Sequence, residues 1–94
     1  MNLIALYIST LFSSKDIASI AGWIGTISYV LAYILLSINK IRSDQVFYHF
    51  LNIIGAGGLV YYALYINSMP NLWVNVVWGI IGIVATIHIL RKKQ

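Results

Sequence analysis

The stretch Val46–Ile66 reads VFYHFLNIIGAGGLVYYALYI and contains no charged residue. At a rise of about 1.5 Å per residue, a helix of this length crosses a hydrocarbon core of about 30 Å. The stretch therefore predicts a membrane-spanning helix. His49 and Asn52 lie one turn apart within it, and small residues fill positions 55–58. Because lipid offers an imidazole or an amide no hydrogen-bond partner, this helix is expected to face protein or water.

The composition extends the membrane prediction to the whole chain. Of its 94 residues, 61% are hydrophobic and 9% are charged, whereas soluble domains are about 25% charged. The net charge of +4 comes from basic residues near the ends of the apolar segments. Positive charge in such places fixes membrane topology, so nucleic-acid binding is not expected. Cysteine is absent, which excludes a disulfide and a thiolate metal site.

Two further uncharged segments are long enough to span a bilayer, at residues 17–38 and 72–90. Pro70 precedes the second of them and suits the first turn of a helix. Because the connections are short, neighbouring helices are expected to be antiparallel. The expected fold is all-α: an integral membrane domain over residues 15–94 whose three transmembrane helices form an up-down-up bundle.

Polar residues beside these segments predict how the helices begin. Residues 1–14 include an apolar run too short to span, so a short N-terminal interfacial helix, or a frayed extension of the first span, is expected there. Ser13 and Asp16 have the spacing of a capping box at the start of the first span. Ser43 or Asp44 is expected to cap the second span by accepting backbone amide hydrogens.

The distribution of basic residues predicts the orientation. Lys40 and Arg42 in the first connection lie on the same side as residues 91–93, whereas the other side carries only Lys15. By the positive-inside rule, the N-terminus is expected outside and the C-terminus in the cytoplasm.

Small residues recur every three or four positions in all three segments, which predicts that one face of each helix packs closely against another helix. The glycines expected on these faces are Gly22, Gly25, Gly55, Gly57, Gly58, Gly79 and Gly82.

Four polar or aromatic residues inside the spans are candidates for lining a solute site, namely Tyr29, Asn52, Asn75 and Trp78. A buried amide without a partner costs a few kcal/mol, so each asparagine needs a hydrogen bond. Two interpretations remain open. The amides join neighbouring helices, which contributes about 0.6 to 2 kcal/mol, or they form a polar wall for a solute. The aromatic rings either stack on that solute or pack and anchor the spans.

The chain offers no catalytic set, so it is not expected to be an enzyme. Its only acidic residues, Asp16 and Asp44, lie at predicted helix starts, where capping explains them. His49 and His88 lie near the ends of the second and third spans. They are candidates for proton relay, or each imidazole simply bonds water, a lipid headgroup or a backbone carbonyl. Two histidines without further ligands predict no metal site, and no cofactor is expected.

Short motifs in each span resemble a widespread family of small uncharacterised bacterial membrane proteins, the CBU-like domain. They are Gly22-Trp23-x-Gly25, Tyr33 with Leu35 and Leu36, Tyr48, Asn52 to Gly55 (NIIG) and Trp78. The resemblance covers residues 18–85. It implies the three-span fold and a place in the bacterial cytoplasmic (inner) membrane, and it implies no activity.

A second resemblance, from Gly55 through Asn75, is to the SemiSWEET and PQ-loop transporters, which are also three-span chains with an outside N-terminus. It implies that Asn75 faces a solute pocket. Two features of their motif differ: the proline-glutamine pair of their first span is absent, and Leu59 stands where their substrate-stacking tryptophan lies.

These observations lead to two functional expectations. Three close-packed helices enclose no path, so a transporter needs at least two copies. The first expectation is a homodimeric, SemiSWEET-like transporter of a small polar solute, with Asn52, Asn75 and Tyr29 converging at the interface. The alternative is a structural or accessory membrane subunit that packs against a larger membrane protein and transports nothing.

Overall fold

The computed structural model describes residues 3–4 and 14–92. It contains three long α-helices: α1, Ser14–Ser37; α2, Val46–Ile66; and α3, Met69–Lys92. Each is long and apolar enough to cross a membrane. The expected all-α fold with three such helices is confirmed. Most of the predicted interfacial helix lies outside the described residues, and so does Ser13 of the predicted capping box.

The glycines of α1 and α2 bring these two helices together in antiparallel directions. Gly22 faces the ring of Tyr62, whereas Gly25 faces the backbone of Gly55. Rising residue numbers on α1 therefore meet falling numbers on α2. A methyl group at Gly25 would lie 2.7 Å from the Gly55 carbonyl oxygen, so this approach of the two backbones requires glycine.

The other side of α2 packs against α3, again in antiparallel directions. Gly79 faces Ala56, and Gly82 faces the side chain of Ile53. Both outer helices thus pack on α2, and α1 and α3 run parallel to each other. The space between the outer helices is where the polar residues of the three spans meet.

Asparagines end the first two helices tightly. Asn39 and Asn67 adopt the left-handed backbone conformation, with φ of 63° and 56°. The amide of the residue that follows each of them bonds a carbonyl in the last turn of the helix, at 2.9 Å for Lys40 and 3.0 Å for Ser68. This Schellman arrangement satisfies the free carbonyls and turns the chain sharply. It allows the short connections that set neighbouring helices antiparallel.

The start of α2 differs from the prediction. Its N-cap is Gln45, whose side chain makes no capping hydrogen bond and instead accepts the amide hydrogen of Arg42 at 3.1 Å. Asp44 pairs with Arg42 Nε at 3.0 Å. The expectation that Ser43 or Asp44 caps this helix was therefore wrong. The Asp44 carboxylate was expected to accept amide hydrogens at the helix start, but it pairs with the charged guanidinium of Arg42 instead.

Candidate functional site

A cleft of about 330 Å³ lies among the three helices. Its lining includes all four residues that were predicted from the sequence to line a solute site, together with four residues that were not predicted. The lining residues are Tyr29, Ala32, Tyr33, Tyr48, Asn52, Val74, Asn75 and Trp78. No charged side chain is among them, so the cleft is an uncharged site in which a few polar groups lie among apolar surface.

Asn75 joins the two outer helices across the cleft. Its side chain is buried, with 8% exposed, and its Oδ1 accepts the hydroxyl hydrogen of Tyr29 at 2.8 Å. Its Nδ2 donates to the backbone carbonyl of Asn71, one turn earlier on α3, at 2.8 Å. The amide therefore has a partner on each side, and one of these bonds crosses from α3 to α1.

Asn52 plays the matching part between α2 and α3. It is 7% exposed, and its Oδ1 accepts the indole hydrogen of Trp78 at 3.1 Å. Its Nδ2 donates to the Tyr48 carbonyl, one turn earlier on its own helix, at 2.9 Å. The two asparagines thus connect α3 to both other helices, as the interhelical interpretation of these residues expects.

These bonds leave hydrogen-bonding capacity in the cleft. An asparagine amide has two donor hydrogens and two acceptor lone pairs, and the bonds described above use one of each on Asn52 and on Asn75. The rings of Tyr33 and Trp78 at the cleft are exposed and offer flat faces for stacking. The arrangement suits a small, uncharged solute that carries hydroxyl or amide groups.

The two histidines lie elsewhere, in a recess at the end of the bundle that also contains Arg42 and Lys92. His49 Nε2 lies 2.7 Å from the Ser43 carbonyl oxygen, so this imidazole bonds the backbone of the first connection. Among the described residues, no hydrogen bond joins His49 to His88. The geometry of His49 thus favours an imidazole that bonds a backbone carbonyl over a proton relay between the two rings.

Six of the seven glycines face another helix of the chain, and Gly57 does not. A methyl group on Gly57 would meet no atom within 4 Å. This glycine lies on a groove of about 260 Å³ between α2 and α3, whose lining is apolar except for Asn75. Gly57 therefore makes no helix contact within the described chain and is free to contact another molecule.

Three helices that are each long and apolar enough to span a membrane, with a polar cluster between them, suggest a membrane protein. A family model matches residues 18–93. The chain therefore belongs to that uncharacterised bacterial family, the CBU-like domain that its motifs resemble. No curated protein and no solved structure matches the chain, and the resemblance to SemiSWEET and PQ-loop transporters gains no support from these comparisons.

Proposed function

We propose that this chain is a homodimeric membrane protein that binds a small, uncharged polar solute in the cleft and passes it across a bacterial cytoplasmic membrane. The observation that carries this proposal is the convergence of Asn52, Asn75, Tyr29 and Trp78 on one cleft. Polar residues within a span are costly and usually mark a solute path or a helix contact. The unused donors and acceptors of both amides favour a role in a solute path, in addition to the helix contacts that these amides make.

The open side of the cleft supports the dimer. Tyr33 and Val74 line the cleft and are 70% and 66% exposed. Two copies that meet with their clefts face to face would shield these side chains from lipid and join both clefts into one cavity. Such a contact uses the same surface on each copy, which is the symmetry that most homodimers have.

The orientation follows the basic residues. Arg42, in the first connection, and Lys92, at the end of α3, lie at the same end of the bundle. By the positive-inside rule, this supports a cytoplasmic location for this end and an N-terminus outside. The bacterial family of the chain supports the cytoplasmic membrane as its location.

Disulfide cross-linking in native membranes tests the dimer, because the sequence contains no cysteine of its own. Val74→Cys, at the cleft, is expected to form a covalent dimer efficiently. Ile24→Cys is the matched control: Ile24 is 51% exposed and does not line the cleft, so it is expected to form little dimer. Equal cross-linking of both variants, or none at Val74→Cys, would contradict a dimer that closes the cleft.

The open groove at Gly57 favours a second candidate function, a packing subunit for other membrane helices. Small residues let two helix backbones approach closely, and Gly57 has no such neighbour among the residues that the structure describes. In that case the hydrogen bonds of Asn52 and Asn75 serve only to hold the bundle together. A cross-link from Gly57→Cys to a cysteine of a different membrane protein, with no link between copies at Val74→Cys, is the outcome that this second function predicts.

A further inference from the structure

The recess that contains the histidines has a volume of about 560 Å³ and lies at one end of the bundle. Its lining comes from the first connection, the start of α2 and the end of α3. Arg42 approaches from the connection, and Lys92 from the last turn of α3. His49, on α2, and His88, on α3, also line the recess. Cationic and hydrogen-bonding side chains thus border the recess from different elements.

The charges of the recess leave it with capacity for an anion. Asp44 is the only carboxylate among its lining residues, and it bonds a single nitrogen of Arg42, Nε, at 3.0 Å. A guanidinium has five N–H donors in a planar fork, so the remaining nitrogens of Arg42 stay available. Lys92 adds a second positive charge to the recess.

The backbone at the start of α2 adds to this preference. Val46, the first residue of α2, lines the recess. Gln45 makes no side-chain cap there, and the first turn of α2 contains no acidic residue. The partial positive charge of this helix start is therefore not offset within its own turn, and it adds to the attraction that Arg42 and Lys92 exert on an anion.

We propose that this recess binds a phosphate group, carried either by the headgroup of an anionic phospholipid or by a free phosphate anion. Arg42 and Lys92 hold the phosphate oxygens, and His88 lies at the same recess as a further hydrogen-bonding group. Basic recesses between the ends of membrane helices suit lipid phosphates, because headgroups lie at this level. The site is separate from the cleft and does not depend on solute transport.

The test measures ligand-dependent thermal stability of the purified protein in mild detergent, since a ligand that binds the native state raises its melting temperature. The probes are phosphatidylglycerol, phosphatidylcholine as the zwitterionic comparison, and inorganic phosphate. The test variant is Arg42→Gln with Lys92→Gln. Its matched control is Lys40→Gln with Arg91→Gln. These substitutions remove the same charge, and both residues are exposed and do not line the recess.

The test variant is expected to bind phosphatidylglycerol about tenfold more weakly than the wild type, because each basic residue near an anionic surface adds several-fold in affinity. The control pair is expected to stay within about twofold of the wild type. Stabilisation by phosphatidylglycerol alone identifies the lipid as the source, and stabilisation by inorganic phosphate identifies the free anion. Either result supports the site when the test variant loses this stabilisation and the control pair keeps it.

Two results would overturn the proposal. One is an equal loss in the test and control variants, which would indicate general surface charge instead of a site. The other is that neither phosphatidylglycerol nor inorganic phosphate stabilises the wild type. If the double variant does not fold, Lys92→Gln alone replaces it, with an expected loss of about threefold.

Discussion

Gly58→Ala is expected to destabilise the protein by about 1 to 3 kcal/mol, the usual cost of adding a methyl group to a close-packed contact. The new methyl group would overlap the carbonyl oxygen of Ala21 and lie 3.1 Å from the Cα of Gly25. Both are backbone atoms of α1, so no side-chain rotation relieves the overlap and the two helices must separate. Thermal unfolding in mild detergent should show a lower melting temperature.

The neighbouring Gly57→Ala is the matched control, because its methyl group would meet no atom within 4 Å. We expect no loss of stability, and a gain of up to about 1 kcal/mol, since alanine favours the helix over glycine. Equal destabilisation by the two substitutions would show that Gly58 does not form the close contact between α1 and α2.

Asn75→Ala is expected to destabilise the protein by about 1 to 2 kcal/mol. It removes the acceptor for Tyr29, the hydrogen bond at 2.8 Å that joins α1 to α3, and it leaves the tyrosine hydroxyl without this partner. The free energy of unfolding in detergent measures the loss.

A double-mutant cycle with Tyr29→Phe isolates this bond. The coupling energy between Tyr29 and Asn75 is expected to be about 0.6 to 1.7 kcal/mol. Tyr33→Phe is the control, because Tyr33 lines the same cleft but makes none of the hydrogen bonds that join Asn75 and Asn52 to other residues. A coupling energy of zero would mean that the two side chains do not hold the outer helices together.

Much of the fold was predictable because charge and length decide it. The uncharged stretch at the centre of the sequence matches α2, Val46–Ile66, at both ends. The outer helices begin earlier than their apolar segments, since a helix continues through polar residues that the apolar segments exclude. In α3, for example, the carbonyl of Ser68 already accepts the amide hydrogen of Leu72 at 3.0 Å.

The tight helix ends were not predicted, although the sequence contains a signal for them. Asn39 and Asn67 each follow an isoleucine at the end of an apolar run. Asparagine is the residue that most often replaces glycine in the left-handed position after a helix. An asparagine that directly follows an apolar run therefore indicates the end of a helix at both places.

The candidate site was predictable only in part. The burial of Asn52 and Asn75 inside apolar segments implies that each needs a partner, but the identity of that partner depends on how the helices rotate. Tyr29 and Asn75 are separated by 46 positions, and no sequence pattern links them. Trp78 was expected to stack or pack, and its hydrogen bond to Asn52 depends on the reach of the indole ring across α2 and α3.

Gly57 differs from its neighbouring glycines in a way that helical spacing alone predicts. Gly55 and Gly58 are three residues apart and share one face of α2, which packs against α1. Gly57 lies two residues after Gly55, and therefore on a different face. Three glycines this close in sequence therefore cannot all pack against the same helix. Gly55 and Gly58 pack against α1, whereas Gly57 contacts neither neighbouring helix.

The most direct experiment asks whether the cleft is open to water within the membrane. Val74→Cys, at the cleft, and Ile24→Cys, outside it, are first kept reduced and then exposed in membranes to a charged methanethiosulfonate reagent that does not enter lipid. A thiol reacts as the thiolate, which forms in water and not in hydrocarbon, so Val74→Cys is expected to react much faster than Ile24→Cys. Equal, slow labelling of the two cysteines would show that the cleft faces lipid and would contradict a solute site there.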